Sequence, residues 1–119
     1  MSSALLAVDD PMIKTMVEDA ARELGVRVFG TRTPADVLRR VEENGSALLV
    51  LDLGADHFRP MSLIKRIKTD HPGARIIGFV SQSNAAMRTK AHDAGCDFVY
   101  TRPELAKQIK SIFRTLLPG

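Results

Sequence analysis

The sequence predicts an α/β fold built on a five-stranded parallel sheet, doubly wound in a (βα)5 order. Two observations predict it. A short apolar run followed by an amphipathic stretch recurs five times along the chain. The apolar runs are continuous rather than alternating, which suits parallel strands covered on both faces. With 119 residues, 45% of them hydrophobic and 26% charged, the chain has the make-up of one globular domain. No internal repeat, low-complexity tract or linker divides it, so residues 1–119 read as a single domain.

The predicted strands cover residues 4–8, 26–29, 47–51, 75–80 and 98–100. Between the first two, Asp10-Pro11 reads as N-cap and first helical residue. Ile13, Val17, Ala20, Ala21 and Leu24 follow at helical spacing before Gly25 stops the helix. Thr33-Pro34-Ala35-Asp36 repeats that start, with Val37, Leu38 and Val41 inward and Asn44-Gly45 as the stop. A third helix runs from about Met61 through Leu63, Ile64 and Ile67 to His71-Pro72-Gly73. A fourth spans about Asn84 to Ala94, closed by Gly95. Pro103 opens a fifth, with Leu105, Ile109, Ile112, Phe113 and Leu116 on its buried face.

Composition removes several function classes. Cys96 is the only cysteine, so neither an internal disulfide nor a zinc knuckle can form, which fits a reducing compartment. No apolar run approaches the roughly 20 residues that cross a bilayer, and the start lacks a secretory signal, so a cytoplasmic protein without membrane insertion is expected. Residues 1–60 carry 7 basic and 10 acidic side chains and residues 61–119 carry 10 and 4, which predicts two differently charged surfaces. The net +3 comes with no recognition helix or aromatic stacking motif, which argues against direct nucleic-acid binding. There is no G-x-G-x-x-G after the first strand, no Walker lysine motif and no G-x-S-x-G elbow. His57, His71 and His92 lack metal-ligand spacing with each other or with Cys96, so they read as surface or loop residues.

Right-handed crossovers place functional residues at the carboxyl ends of the strands. Strand one ends in Asp9-Asp10, strand three in Asp52, strand four in Ser81 and strand five in Thr101-Arg102-Pro103. Two carboxylates about 4 Å apart repel by about 4 kcal/mol at an effective dielectric of 20, so such a trio needs a cation or an adjacent basic group. A hard divalent cation such as Mg²⁺ accepts oxygen ligands of this kind. Asp10 before Pro11 also reads as a plain helix cap, and Arg102 as the partner of a structural ion pair with one of these carboxylates.

Val8-Asp9-Asp10, Leu51-Asp52, Ser81, Ala94-Gly95 and Arg102-Pro103 together resemble the receiver domain of bacterial two-component response regulators, over nearly the whole chain. The resemblance implies a flavodoxin-like strand order 2-1-3-4-5, and because the 119 residues leave no room for an output domain a stand-alone receiver is expected. It implies that Asp52 is the phosphoacceptor, that Ser81 contacts the phosphoryl group and that Arg102 stands where the family has a lysine. It further implies Mg²⁺ held by Asp9, Asp10, Asp52 and the backbone carbonyl of Gly54. The partners implied are a histidine kinase or phosphotransfer protein and a downstream protein met by the face of helix four, strand five and helix five, with a homodimer as a further option. The only enzymatic activity implied is self-phosphorylation and self-dephosphorylation of a phospho-aspartate.

The sequence departs from the family at its active rim and output face. Arg102 replaces a compact ammonium with a planar fork. Asp56 and Pro60 stand where a proline and a glycine are usual, and Gln82 is bulkier than the small residue favoured after Ser81. The loop between Ser81 and Gly95 is one residue short. The strand-five switch aromatic is Val99, with Tyr100 one place later and on the opposite face. The alternative implied is therefore an atypical pseudo-receiver, a protein-interaction module that works without phosphorylation. Lys107, Lys110 and Arg114 share one side of helix five, as a solvated face or a partner surface.

Overall fold

The computed structural model describes residues 3–44, 48–81 and 84–116. Its strands are β1 (Ser3–Ala7), β2 (Arg27–Gly30), β3 (Leu48–Asp52), β4 (Arg75–Val80) and β5 (Phe98–Thr101). Its helices are α1 (Pro11–Leu24), α2 (Pro34–Asn44), α3 (Pro60–Asp70), α4 (Ala85–Ala94) and α5 (Arg102–Leu116). All strand pairs are parallel, in the order β2-β1-β3-β4-β5. The sheet therefore has the doubly wound α/β topology, with its switch point between β1 and β3.

Two apolar cores sandwich the sheet, which is why its central strands carry no alternation. On one face Leu5, Leu49, Leu51 and Ile76 pack against Val37 and Val41 of α2, Ile64 and Ile67 of α3 and Ala91 and Ala94 of α4. On the other, Leu6, Val50, Ile77 and Phe79 pack against Ile13 and Val17 of α1 and Leu105, Ile109 and Phe113 of α5. Val99 belongs to the first face and Tyr100 to the second, as strand periodicity requires.

Helix ends follow local chemistry. Gly25 and Gly95 close α1 and α4 in the left-handed region at φ 69° and 115°, and their N–H groups donate to carbonyls of the last turn. Thr33 Oγ1 caps α2 by accepting from the Asp36 N–H at 3.1 Å. At α5 a reciprocal capping box forms: the Thr101 N–H donates to Glu104 Oε1 at 2.8 Å and the Glu104 N–H to Thr101 Oγ1 at 3.3 Å.

Several boundaries differ from expectation. β1 ends at Ala7, so Val8, although buried, leads into the loop, and Val26 precedes β2 rather than starting it. The sequence stops expected at Gly45 and the strand start at Ala47 lie outside the described residues, as do Gln82 and Leu117-Pro118-Gly119. α3 begins at Pro60, after an unexpected 3-10 turn at Asp56–Phe58 that buries Phe58 completely. α5 begins at Arg102, one residue before Pro103, because the capping box makes Thr101 the last non-helical residue. The basic stripe of α5 is divided: Lys110 Nζ pairs with Glu23 of α1 at 2.5 Å, tying the two helices together.

Candidate functional site

The parallel sheet brings the acidic residues to the carboxyl end of its central strands. Asp9 and Asp10 lie in the loop from β1 to α1, Asp52 ends β3, Ser81 follows β4 and Arg102 opens α5. Asp52, Ser81 and Arg102 line an open pocket of about 430 Å³ together with Gly54, Phe79, Val80, Asn84 and Met87.

Asp52 is half-buried, and its Oδ1 accepts the N–H of Gly54 at 2.9 Å. Burial is the main reason its carboxyl sits above the ordinary aspartate value. The Gly54 N–H and the positive charge of Arg102 oppose that rise, while the charges of Asp9 and Asp10 add to it. The charges of Asp9 and Asp10 thus reach Asp52 across the rim.

Asp10 has two roles. Its backbone is extended at φ −68° and ψ 114°, and its Oδ1 accepts the N–H groups of Met12 at 2.9 Å and Ile13 at 3.3 Å, capping α1. Its Oδ2 forms an ion pair with Arg102 Nη2 at 2.5 Å. The Asp10 side chain is only 13% exposed against 46% for Arg102, so the carboxylate is enclosed and the guanidinium reaches in from the surface. Asp9 points outward, with its Oδ2 3.4 Å from His57 Nδ1. His57 in turn packs beside the buried Phe58 ring, with centroids 4.3 Å apart.

The donor set of Asp9, Asp10, Asp52 and the Gly54 carbonyl is chemically suited to a hard divalent cation, yet its arrangement is not that of a metal centre. Both carboxylate oxygens of Asp10 are committed, one to the helix cap and one to Arg102. Among the described residues no group of three His, Cys, Asp or Glu side chains comes together to hold a metal ion. The basic group that the acidic trio requires is supplied by the chain itself.

Three rim residues escaped the sequence reading. Asn84 was visible as a helix start, and that position is what brings it to the pocket: its Oδ1 accepts the Met87 N–H at 3.0 Å and both residues line the cavity. His57 carried no spacing signal. It reaches Asp9 through the 3-10 turn, which sequence periodicity does not reveal.

No family model matches the chain. It is 29% identical over 119 aligned positions to the DNA-binding transcriptional regulator NtrC of Azospirillum brasilense, covering 98% of this chain and 25% of that protein. The chain thus spans about a quarter of the length of the curated relative it matches. A response regulator from Thermotoga maritima superposes with a TM-score of 0.81 at 13% identity, covering 98% of this chain and 97% of the other. The BeF3-activated DrrB receiver domain gives a TM-score of 0.79 at 22% identity, with 98% and 97% covered. The Mn²⁺-bound form of response regulator Rcp1 gives 0.77 at 16% identity over the full length of both chains. The order of strands, the two helical layers and these superpositions agree that the chain has the fold of a response-regulator receiver domain.

Proposed function

We propose that this receiver-fold domain is a signalling module in which Asp52 accepts a phosphoryl group. The observation that carries the reading is the position of Asp52: half-buried at the end of β3, held by the Gly54 N–H, and facing an open pocket edged by Ser81, Asn84 and Arg102. In the proposed step a carboxylate oxygen of Asp52 attacks phosphorus. The bond from phosphorus to the donor's nitrogen or oxygen breaks, and the donor leaves with that electron pair. The product is an acyl phosphate on Asp52. The Gly54 N–H holds the nucleophile, and the roles proposed for Ser81 and Arg102, which line the same pocket, are to meet the phosphoryl oxygens through the hydroxyl and the guanidinium, so that positioning and electrostatics supply the catalysis.

A histidine kinase or phosphotransfer protein is the proposed donor. The proposed output is a protein contact on the α4-β5-α5 face, where Phe98 is 46% exposed and stacks beside Tyr100 with ring centroids 6.3 Å apart. A second copy of the chain is one candidate for that contact. We place the module in the cytoplasm; among the described residues no helix is long and apolar enough to cross a membrane.

The test is intact mass after incubation with acetyl phosphate and MgCl₂, on wild type and Asp52→Asn. An adduct on wild type alone supports the reading; no adduct, or one that persists in Asp52→Asn, overturns it. A specific observation favours a second reading. The Asp10–Arg102 pair ties up a rim carboxylate, as expected of a pseudo-receiver that binds partners without phosphorylation. Absence of any adduct after trials with acetyl phosphate and several histidine kinases would select it.

A further inference from the structure

The acidic rim carries its own counter-charge, and where that charge sits is informative. Arg102 is the first residue of α5, and a cation at a helix N-terminus opposes the helix dipole. Nothing in the helix itself favours it there: the caps of α5 are Thr101 and Glu104, and Glu104 also lies 3.6 Å from Arg88. What holds Arg102 is Asp10, across the top of the sheet. A residue that breaks a local rule usually does so for a gain made elsewhere. Here the gain is neutralisation of a mostly enclosed carboxylate that has Asp9 as its chain neighbour and Asp52 across the rim.

We propose that the Arg102 guanidinium occupies the place of a divalent cation in this domain, so that Arg102 and a metal ion compete for Asp10. With Arg102 in place, Asp10 spends one oxygen on the α1 cap and the other on the guanidinium, and a cation must displace Arg102 to gain the Asp10 carboxylate. Divalent ions therefore bind weakly, and removal of Arg102 opens the site. The competition also makes Arg102 specific to its position. The guanidinium stays charged at every accessible pH, so it is not released by loss of its own proton. This inference deepens the reading of the rim as a receiver pocket, but its readout is metal affinity rather than adduct formation, so the two can fail separately.

The experiment measures Mn²⁺ binding by paramagnetic relaxation of water protons for wild type, Arg102→Gln, and Arg102→Gln combined with Asp10→Asn. Arg102→Gln is expected to bind Mn²⁺ at least tenfold more tightly than wild type, and the double variant to lose that gain. Equal affinity in wild type and Arg102→Gln overturns the proposal, as does absence of binding in both. Circular dichroism establishes that the variants fold. The unaltered protein supplies an independent test by NMR during titration with MgCl₂. The Arg102 Nε–H signal is expected to move with the same midpoint as the Gly54 amide. A Gly54 shift with Arg102 unmoved overturns the proposal even if the variants are unstable.

Discussion

Asp10 offers a clean separation of two forces on one side chain. Its Oδ1 satisfies the N–H groups of Met12 and Ile13 at the start of α1, and its Oδ2 pairs with Arg102. Replacing a capping Asp by Ala costs about 0.5–2 kcal/mol, typically about 1, whereas Asn caps as well as Asp. The pair is mixed in exposure, 13% for Asp10 and 46% for Arg102. Arg102 can rehydrate when its partner is lost, which holds the contribution of the pair to about 1 kcal/mol or less. Asp10→Asn is thus expected to lose about 1 kcal/mol and Asp10→Ala about 2 kcal/mol. Urea denaturation followed by far-ultraviolet circular dichroism suits a chain without tryptophan. At a slope of about 2 kcal/mol per molar urea, Asp10→Ala moves the midpoint down by about 1 M and Asp10→Asn by about half of that. Equal losses in the two variants, or no loss in Asp10→Ala, would refute the division of labour.

Other substitutions probe the scaffold and the nucleophile. A Cβ added at Gly78 would lie 2.8 Å from Leu53 Cδ1 inside the sheet-to-α3 layer, so Gly78→Ala is expected to destabilise by about 1–3 kcal/mol in the same urea assay. Asp97 accepts the Ile76 N–H at 2.7 Å and pairs with Lys68 at 2.9 Å, both side chains being under 20% exposed; Asp97→Ala should cost about 3 kcal/mol, with loss of exchange protection at the Ile76 amide. Asp52 has its pKa raised mainly by burial, so its folded form holds the proton more tightly than the unfolded chain. Stability from this group is then full below the unfolded value near 3.8 and falls as pH rises through the folded one. Asp52→Asn should accordingly stabilise the fold at neutral pH, with a gain that disappears as pH falls below that window; a gain independent of pH would contradict the assignment. Cys96 is 2% exposed with its thiol pushed up to about 11 by burial, so Ellman's reagent should react with it at pH 8 only after denaturation.

The elements that sequence revealed best are those fixed by local chemistry. Asp10-Pro11 and Gly25 bound α1 where capping rules place them, and Asn84 and Gly95 bound α4 likewise. The alternation of continuous apolar runs with amphipathic stretches was enough to imply both helical layers, because the central strands are buried on both sides. What stayed hidden depends on tertiary placement. Arg59 adopts φ 49° at the junction of the 3-10 turn and α3, and an arginine gives no sign of a left-handed backbone. The turn persists because Phe58 anchors it in the core, a long-range contact. In the rim, the residue set was readable from strand ends, while the pairing was not. Sequence allowed Arg102 to meet any of the carboxylates. Asp10 wins because its cap geometry aims the second oxygen at the start of α5.

The most direct measurement is an intact-mass time course of the wild-type protein with acetyl phosphate, followed by treatment with hydroxylamine. Hydroxylamine cleaves an acyl phosphate and spares a phosphate ester on a hydroxyl such as that of Ser81. A phosphoryl adduct that hydroxylamine removes, and that never forms on Asp52→Asn, is the expected result. An adduct that survives hydroxylamine, or a mass that does not change at all, would contradict it.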